Sequence, residues 1–149
     1  MSTDTGEPRG AHLVGSFSFA SSDEVSYGYA RRRHFKEPAD TGLVVRLANA
    51  VAARLTRPLT WVHLPVPRDR DDDGYFAPLE GLQLPAESEI YLGLVHYHDG
   101  VRGSERRIEA ARRRLPRFGV GTECGMGPRP ADVVPELLRT HAAVAAPVR

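Results

Sequence analysis

The sequence predicts an α/β chain, and within that class a fragment of a parallel β/α barrel. Three observations carry this. Apolar strands alternate with helical periods in the order helix, strand, loop, strand, helix, strand, helix, which is the signature of a parallel sheet with crossover helices. No Gly-x-Gly-x-x-Gly loop or phosphate-binding P-loop accompanies a strand, so a Rossmann arrangement lacks its main support. The chain has 149 residues, whereas a closed barrel of eight units needs about 250, leaving room for about half.

The elements follow in chain order. Residues 1–41 carry the weakest pattern. His12–Phe19 holds Leu13, Val14, Phe17 and Phe19 and predicts a short strand. Ser21–Arg33 has no clean period and runs into Arg31-Arg32-Arg33-His34, which predicts a loop or a segment ordered by contact. Residues 1–32 are therefore set apart as an atypical, poorly ordered segment ahead of a domain over 33–149.

Asp40-Thr41 offers an N-cap to a helix over Gly42–Leu55, where Val44, Leu47, Val51 and Leu55 fall on one face. Leu59–Val66 reads as a strand, stopped by Pro65 and Pro67. A charged loop, Arg68-Asp-Arg-Asp-Asp-Asp73, follows it. Tyr75, Phe76 and Leu79 predict an aromatic short helix or turn. Glu89–Tyr97 is apolar on both faces, as a covered parallel strand should be. Gly103–Leu115 reads as a basic amphipathic helix with Ser104 as N-cap and Pro116 as stop. Phe118–Glu123 is a third strand. Ala131–Ala145 is a last helix, with Pro135 in its first turn, where proline is tolerated.

Composition narrows the function classes. Twenty Lys and Arg against nineteen Asp and Glu leave a net charge of +1, so no global field draws the chain to nucleic acid or to an anionic membrane. No apolar run approaches the roughly 20 residues of a membrane helix, and the polar N-terminus lacks a signal-peptide core. A hydrophobic content of 41% is enough for one core. The single cysteine excludes an internal disulfide and fits a reducing cytoplasm.

In a parallel barrel the site lies at the C-terminal ends of the strands. The three predicted strands end in His63, in His96 and His98, and in Glu123 and Cys124. Zinc favours such a histidine, carboxylate and thiolate set, with one position left open for substrate. A substrate thiol there would lose its proton to the metal. The competing reading is a set of satisfied histidines around a polar pocket, with Cys124 an inert buried thiol. In the charged loop, Arg68 and Arg70 are candidates to hold an anionic substrate group bidentately, oriented by Asp69 and Asp71. A solvated loop of local ion pairs is the alternative. Seven arginines lie between Arg102 and Arg117. Glu105 and Glu109 interleave with them, so helix-surface ion pairs explain them better than a nucleic-acid stripe does.

Two stretches carry a family resemblance. They are Tyr91-Leu-Gly-Leu-Val-His-Tyr-His-Asp-Gly100 and Phe118-Gly-Val-Gly-Thr-Glu-Cys-Gly-Met-Gly127, each followed by a helix. Together they resemble the last two βα units of cobalamin-independent methionine synthase, of the uroporphyrinogen decarboxylase/methionine synthase-like superfamily. His34-Phe-Lys-Glu-Pro-Ala-Asp40, His63-Leu-Pro-Val-Pro-Arg-Asp-Arg-Asp-Asp-Asp73 and Tyr75-Phe-Ala-Pro-Leu79 are similar to segments of its short bacterial "methionine synthase II" relatives.

The resemblance implies the C-terminal portion of a TIM-type (β/α)8 barrel, and in the synthases a zinc that activates homocysteine for methylation by a methylated folate. Cys124 matches the family's last cysteine ligand. His63 falls where a strand-end acid is expected, which makes it a second candidate ligand. His98 matches a histidine near substrate. His98 and Glu123 are thereby the candidate catalytic residues, and His96, His98, Arg68 and Arg70 the candidate substrate contacts.

The family's His-x-Cys pair is absent: the region before Tyr27–His34 reads Ser-Ser-Asp-Glu-Val-Ser. The expectation is a truncated relative that self-associates or meets a partner chain to complete its barrel, with a small-molecule substrate and neither nucleic acid nor membrane. A catalytically silent assembly domain and a metal-free lyase of the decarboxylase branch are the rival expectations.

Overall fold

The computed structural model describes residues 38–57, 59–123, 126 and 129–145. The expected strand His12–Phe19, the segment 1–32, the motif residues His34–Glu37 and Cys124 lie outside them.

Helix α1 spans Gly42–Ala52. Asp40 starts it: its Oδ1 accepts the Gly42 N–H at 2.7 Å, satisfying one of the donors that a helix start leaves open. Val44, Val45 and Ala48 turn inward. Beyond Ala52 the expected last turn persists as a hydrogen-bonded turn, with the Leu55 N–H on the Val51 carbonyl at 3.1 Å, a shift within ordinary fraying.

Strand β1 (Trp61–Pro65) leads to the short helix α2 (Asp73–Phe76) and a 3-10 turn over Ala77–Gly81. Strand β2 (Glu89–Val95), helix α3 (Gly100–Arg112), strand β3 (Gly119–Thr122) and helix α4 (Val134–Val144) follow. Pro135 sits in the first turn of α4, as expected.

Among the described residues the sheet is open and three-stranded, in the order β1-β2-β3, with both neighbouring pairs parallel. Parallel neighbours in chain order, joined by right-handed crossovers, carry their connections on one face. The packing agrees: α3 lies on β2 and α4, and α2 lies on α3. Toward this layer point Val62 and Leu64 of β1 and Leu92 and Leu94 of β2. They are buried with Ile108, Ala111 and Leu137 from the helices and Tyr75, Phe76 and Leu79 from the β1–β2 connection.

The other face carries Trp61, His63 and Tyr91, each partly exposed. Trp61 and Tyr91 meet edge to face with ring centres 6.4 Å apart. The Tyr91 ring occupies the space a Cβ would take at Gly119, and the His63 ring lies 3.3 Å from that position at Gly121. The glycines of β3 are thus seats for rings from β1 and β2.

Two local expectations are corrected. Ser104 does not cap α3. The helix begins at Gly100 and Ser104 lies inside it, donating its hydroxyl to the Gly100 carbonyl at 2.9 Å. Gly100, at φ +55°, takes the left-handed turn that makes the earlier start possible. Nor do Glu105 and Glu109 pair with the helix arginines among the described ion pairs. Arg106 reaches Asp71 at 2.9 Å, Arg113 reaches Asp73 at 3.2 Å, and Arg114 bonds both Asp73 and Glu80. Packing of α2 on α3 lays the acidic loop over the basic helix, so Asp71 and Asp73 become partners of Arg106, Arg113 and Arg114. Such exposed pairs add little stability but neutralise both segments.

One arginine of α3 is different. Arg107 is fully buried. Its guanidinium donates to the Leu94 carbonyl at 2.9 Å, to the Arg68 carbonyl at 2.6 Å and to both oxygens of Asp99 at 2.7 and 2.9 Å. It ties the end of β2 and the loop after β1 to the start of α3. Gly103 makes this possible, because a Cβ there would collide with the Asp99 carboxylate. Gly103→Ala should therefore destabilise the fold by about 1–3 kcal/mol despite the better helix propensity of alanine. A urea melt that shows gained stability would count against this account.

Candidate functional site

Because the strands are parallel, β1, β2 and β3 deliver their next residues, Val66 to Arg68, His96 and Glu123, to the same edge of the sheet. Ligands of parallel α/β sheets bind at this carboxyl edge.

His96 is its centre. It is 4% exposed. Its Nε2 lies 2.9 Å from the Val66 carbonyl, which can only accept, so Nε2 carries the proton. In the neutral ring Nδ1 then holds a lone pair, and it faces Glu123 Oε2 at 3.6 Å. Burial, aided by the positive charge of Arg107, pushes the His96 pKa down to about 4, against the opposing pull of the Val66 carbonyl. At neutral pH the His96 ring thus presents an acceptor nitrogen beside the Glu123 carboxyl group.

Asp99 lies beside this centre. Burial pushes its carboxyl up, but the Arg107 hydrogen bonds outweigh that and hold it below its ordinary value. Arg129, in the connection after β3, has a buried Nε without a hydrogen-bond partner, and its charge is felt at His96.

The expected site residues separate. His96 and Glu123 come together as above. His63 sits at the middle of β1 rather than at its end, because the strand continues to Pro65. Its ring is half-buried over Gly121 on the sheet face that also carries Trp61 and Tyr91, where burial lowers its pKa and the Thr122 backbone opposes this. Its Nε2 lacks a well-aligned hydrogen bond. His98 is exposed, with its ring edge-on to Tyr97 at 5.9 Å.

Arg68 is half-exposed and held bidentately by Asp69 at 2.8 and 3.0 Å. Arg70 is spent on structure. It bonds Asp72 at 2.8 Å and the Ala39 carbonyl at 2.8 Å, and stacks on Tyr75 at 4.5 Å. Its orienting acid is therefore Asp72, not Asp71, which serves Arg106. Asp72 is fixed because it also caps α2 through the Tyr75 N–H.

Among the described residues no three His, Cys, Asp or Glu side chains converge as a metal site requires. Among them, too, no helix is long and apolar enough to cross a membrane. Sequence reasoning missed Arg107, Asp99 and Arg129. For Arg107 a signal existed: it shares the helical spacing of Gly103, Ser104 and Ala111, small residues that mark a buried face.

Comparison of the chain with family models, with curated proteins and with solved structures returns no significant match.

Proposed function

We propose that the chain is a portion of a TIM-type barrel of the uroporphyrinogen decarboxylase/methionine synthase-like kind, and that its strand ends bind a small thiol substrate for methyl transfer. The observation that carries the reading is buried His96 beside partly exposed Glu123 at the common carboxyl edge of three parallel strands in chain order. Sequential order with helices on one face is how barrel strands are laid down, and the carboxyl edge is where barrel chemistry occurs. The motif similarity supplies the reaction class.

In this reading the Val66 carbonyl fixes the tautomer of His96, and Nδ1 accepts a hydrogen bond from the substrate. With a pKa of about 4, the imidazole is roughly four units too weak to take the proton of an ordinary thiol outright. It orients the S–H and leaves deprotonation to another group. Zinc, when bound, would supply that acidification. The described residues do not form a zinc donor set. Cys124 directly follows Glu123 in the sequence and is the ligand the similarity points to.

The test is metal content of the purified chain beside Cys124→Ala, with L-homocysteine binding measured on both. Near-stoichiometric zinc, lost in the variant together with homocysteine binding, is the expected result. Zinc-free chain that ignores homocysteine would retire the reading. One observation favours a second reading, the metal-free lyase: among the described residues no three metal donors converge, while Arg68 and Arg107 stand at the strand ends. Turnover that survives chelation would select it.

A further inference from the structure

The helix layer is uneven at the amino edge of the sheet, opposite the edge that carries His96. Between β1 and β2 it holds only the four-residue α2 and a 3-10 turn, whereas the 13-residue α3 joins β2 to β3. The irregular run 82–88 then leads into β2. A cleft of about 760 Å³ opens there, walled by this run, the first residues of β2 and β3, the α3–β3 turn and the end of α4. Its size falls in the range of small-molecule sites, about 300–1,000 Å³. Among the described residues, eight apolar side chains pack on the core while staying partly exposed. Five of them line this one cleft: Leu82, Leu84, Ile90, Leu115 and Val120.

Most charged groups of the cleft are committed. Arg114 bonds Asp73 and Glu80, and Glu89 accepts the Tyr91 hydroxyl at 2.7 Å. His141 lies in the last turn of α4, where a basic side chain meets the open carbonyls. Arg117 differs. It lies five residues beyond the end of α3, past the reach of that helix end, and among the described residues its side chain has no hydrogen-bond or ion-pair partner. We propose that this cleft is a second binding site, for a medium-chain carboxylate whose apolar tail covers the Leu84 and Ile90 floor and whose head meets Arg117. An apolar body is what removes that floor from water. The guanidinium pairs with carboxylate oxygens through parallel N–H donors. Glu89 lines the same cleft, so a head with one negative charge fits better than a phosphate. The site is independent of the strand-end site proposed above.

The test uses the full chain and isoleucine methyl NMR. The chain has two isoleucines: Ile90 lines the cleft, and Ile108 is buried in the core outside it. Octanoate, kept below its micelle concentration, should shift the Ile90 methyl signal and leave the Ile108 methyl and His96 ring signals in place. It should bind about tenfold more tightly than hexanoate, since each buried methylene contributes about three- to fourfold. It should also bind more tightly than 1-octanol and octylamine. Arg117→Gln should weaken octanoate binding about two- to fivefold, the range for an exposed ion pair, and leave 1-octanol binding unchanged. Arg117→Lys should retain most of the octanoate affinity, and the surface control Arg139→Gln all of it.

Without ligand, Arg117→Gln should melt with the parent, because no described contact is lost. An Ile90 methyl that ignores octanoate overturns the inference, as do octanoate shifts confined to His96. Octylamine or 1-octanol binding as tightly as octanoate overturns the carboxylate head. Ile90 shifts that follow chain concentration in place of octanoate give the cleft to a second copy, which also overturns it. A ligand-free melting point lowered by several degrees in Arg117→Gln overturns the assignment of Arg117 in favour of a structural role.

Discussion

An Arg107→Met variant should lose about 3–5 kcal/mol of folding stability, the range for removing one partner of a buried ion pair. Methionine fills much of the volume, so the loss reports the acceptors left behind rather than a cavity. Those are the carboxylate of Asp99 and the carbonyls of Leu94 and Arg68. They belong to three separate segments, and the guanidinium is their shared donor. Against a typical domain stability of about 5–15 kcal/mol, a loss of this size leaves the variant marginal.

Urea denaturation of the parent, Arg107→Met, Asp99→Asn and the double variant measures it. The double variant should lose much less than the sum of the two singles, because once the arginine is gone the charge of Asp99 is itself a liability. A single-variant loss below about 1 kcal/mol would place Arg107 with ordinary surface arginines and sink the account of the β2–α3 junction.

Folding stability should also fall steeply between about pH 6.5 and pH 4. The folded chain keeps His96 neutral down to about 4, while the unfolded chain takes up the proton near the ordinary histidine value of about 6.5. In that window the unfolded state binds more protons. Stability therefore drops as pH falls, by about 1.4 kcal/mol per unit and about 3 kcal/mol in all. His63, also lowered by burial, adds in the same direction.

The groups around His96 explain the shift. Arg107 and Arg129 oppose the imidazolium, while Asp99 and the Val66 carbonyl favour it, and burial dominates. His96→Gln keeps a donor for the Val66 carbonyl but does not titrate. Its urea midpoint should change much less over the same range, and slopes equal to the parent's would refute the assignment. Below pH 4 both proteins should weaken further, as the ion-paired carboxylates of Asp69, Asp72 and Asp99, held below their ordinary values, take up protons.

The motif His96-Tyr-His-Asp-Gly100, first notable only as a resemblance, has a physical account. His96 bonds the neighbouring strand end, Asp99 meets Arg107, and Gly100 takes a left-handed turn into α3. Tyr97 and His98 between them face outward. Alternation would predict that His96 and His98 share a face only if the strand continued. It stops at Val95, so one histidine is buried and the other is not.

What the sequence determined by itself is the backbone plan. Apolar runs ended by proline and glycine mark where strands begin and stop, and helical periods mark the faces that bury. These rest on interactions within a few residues, so one stretch of chain contains all the information. The placement of His96 and Glu123 at strand ends follows from the same local rules.

Only the tertiary structure decided where the charges go. Arg107 scores as a polar helix residue and is buried. Asp71 and Asp73 look like solvated loop acids and answer arginines 35 to 41 positions along the chain. His63 looks like a strand-end ligand and is a ring seated on Gly121. A buried charge is tolerable only when its partners arrive with it, and those partners come from other elements. Their identity is set by which strand lies beside which, and no window of the sequence contains that.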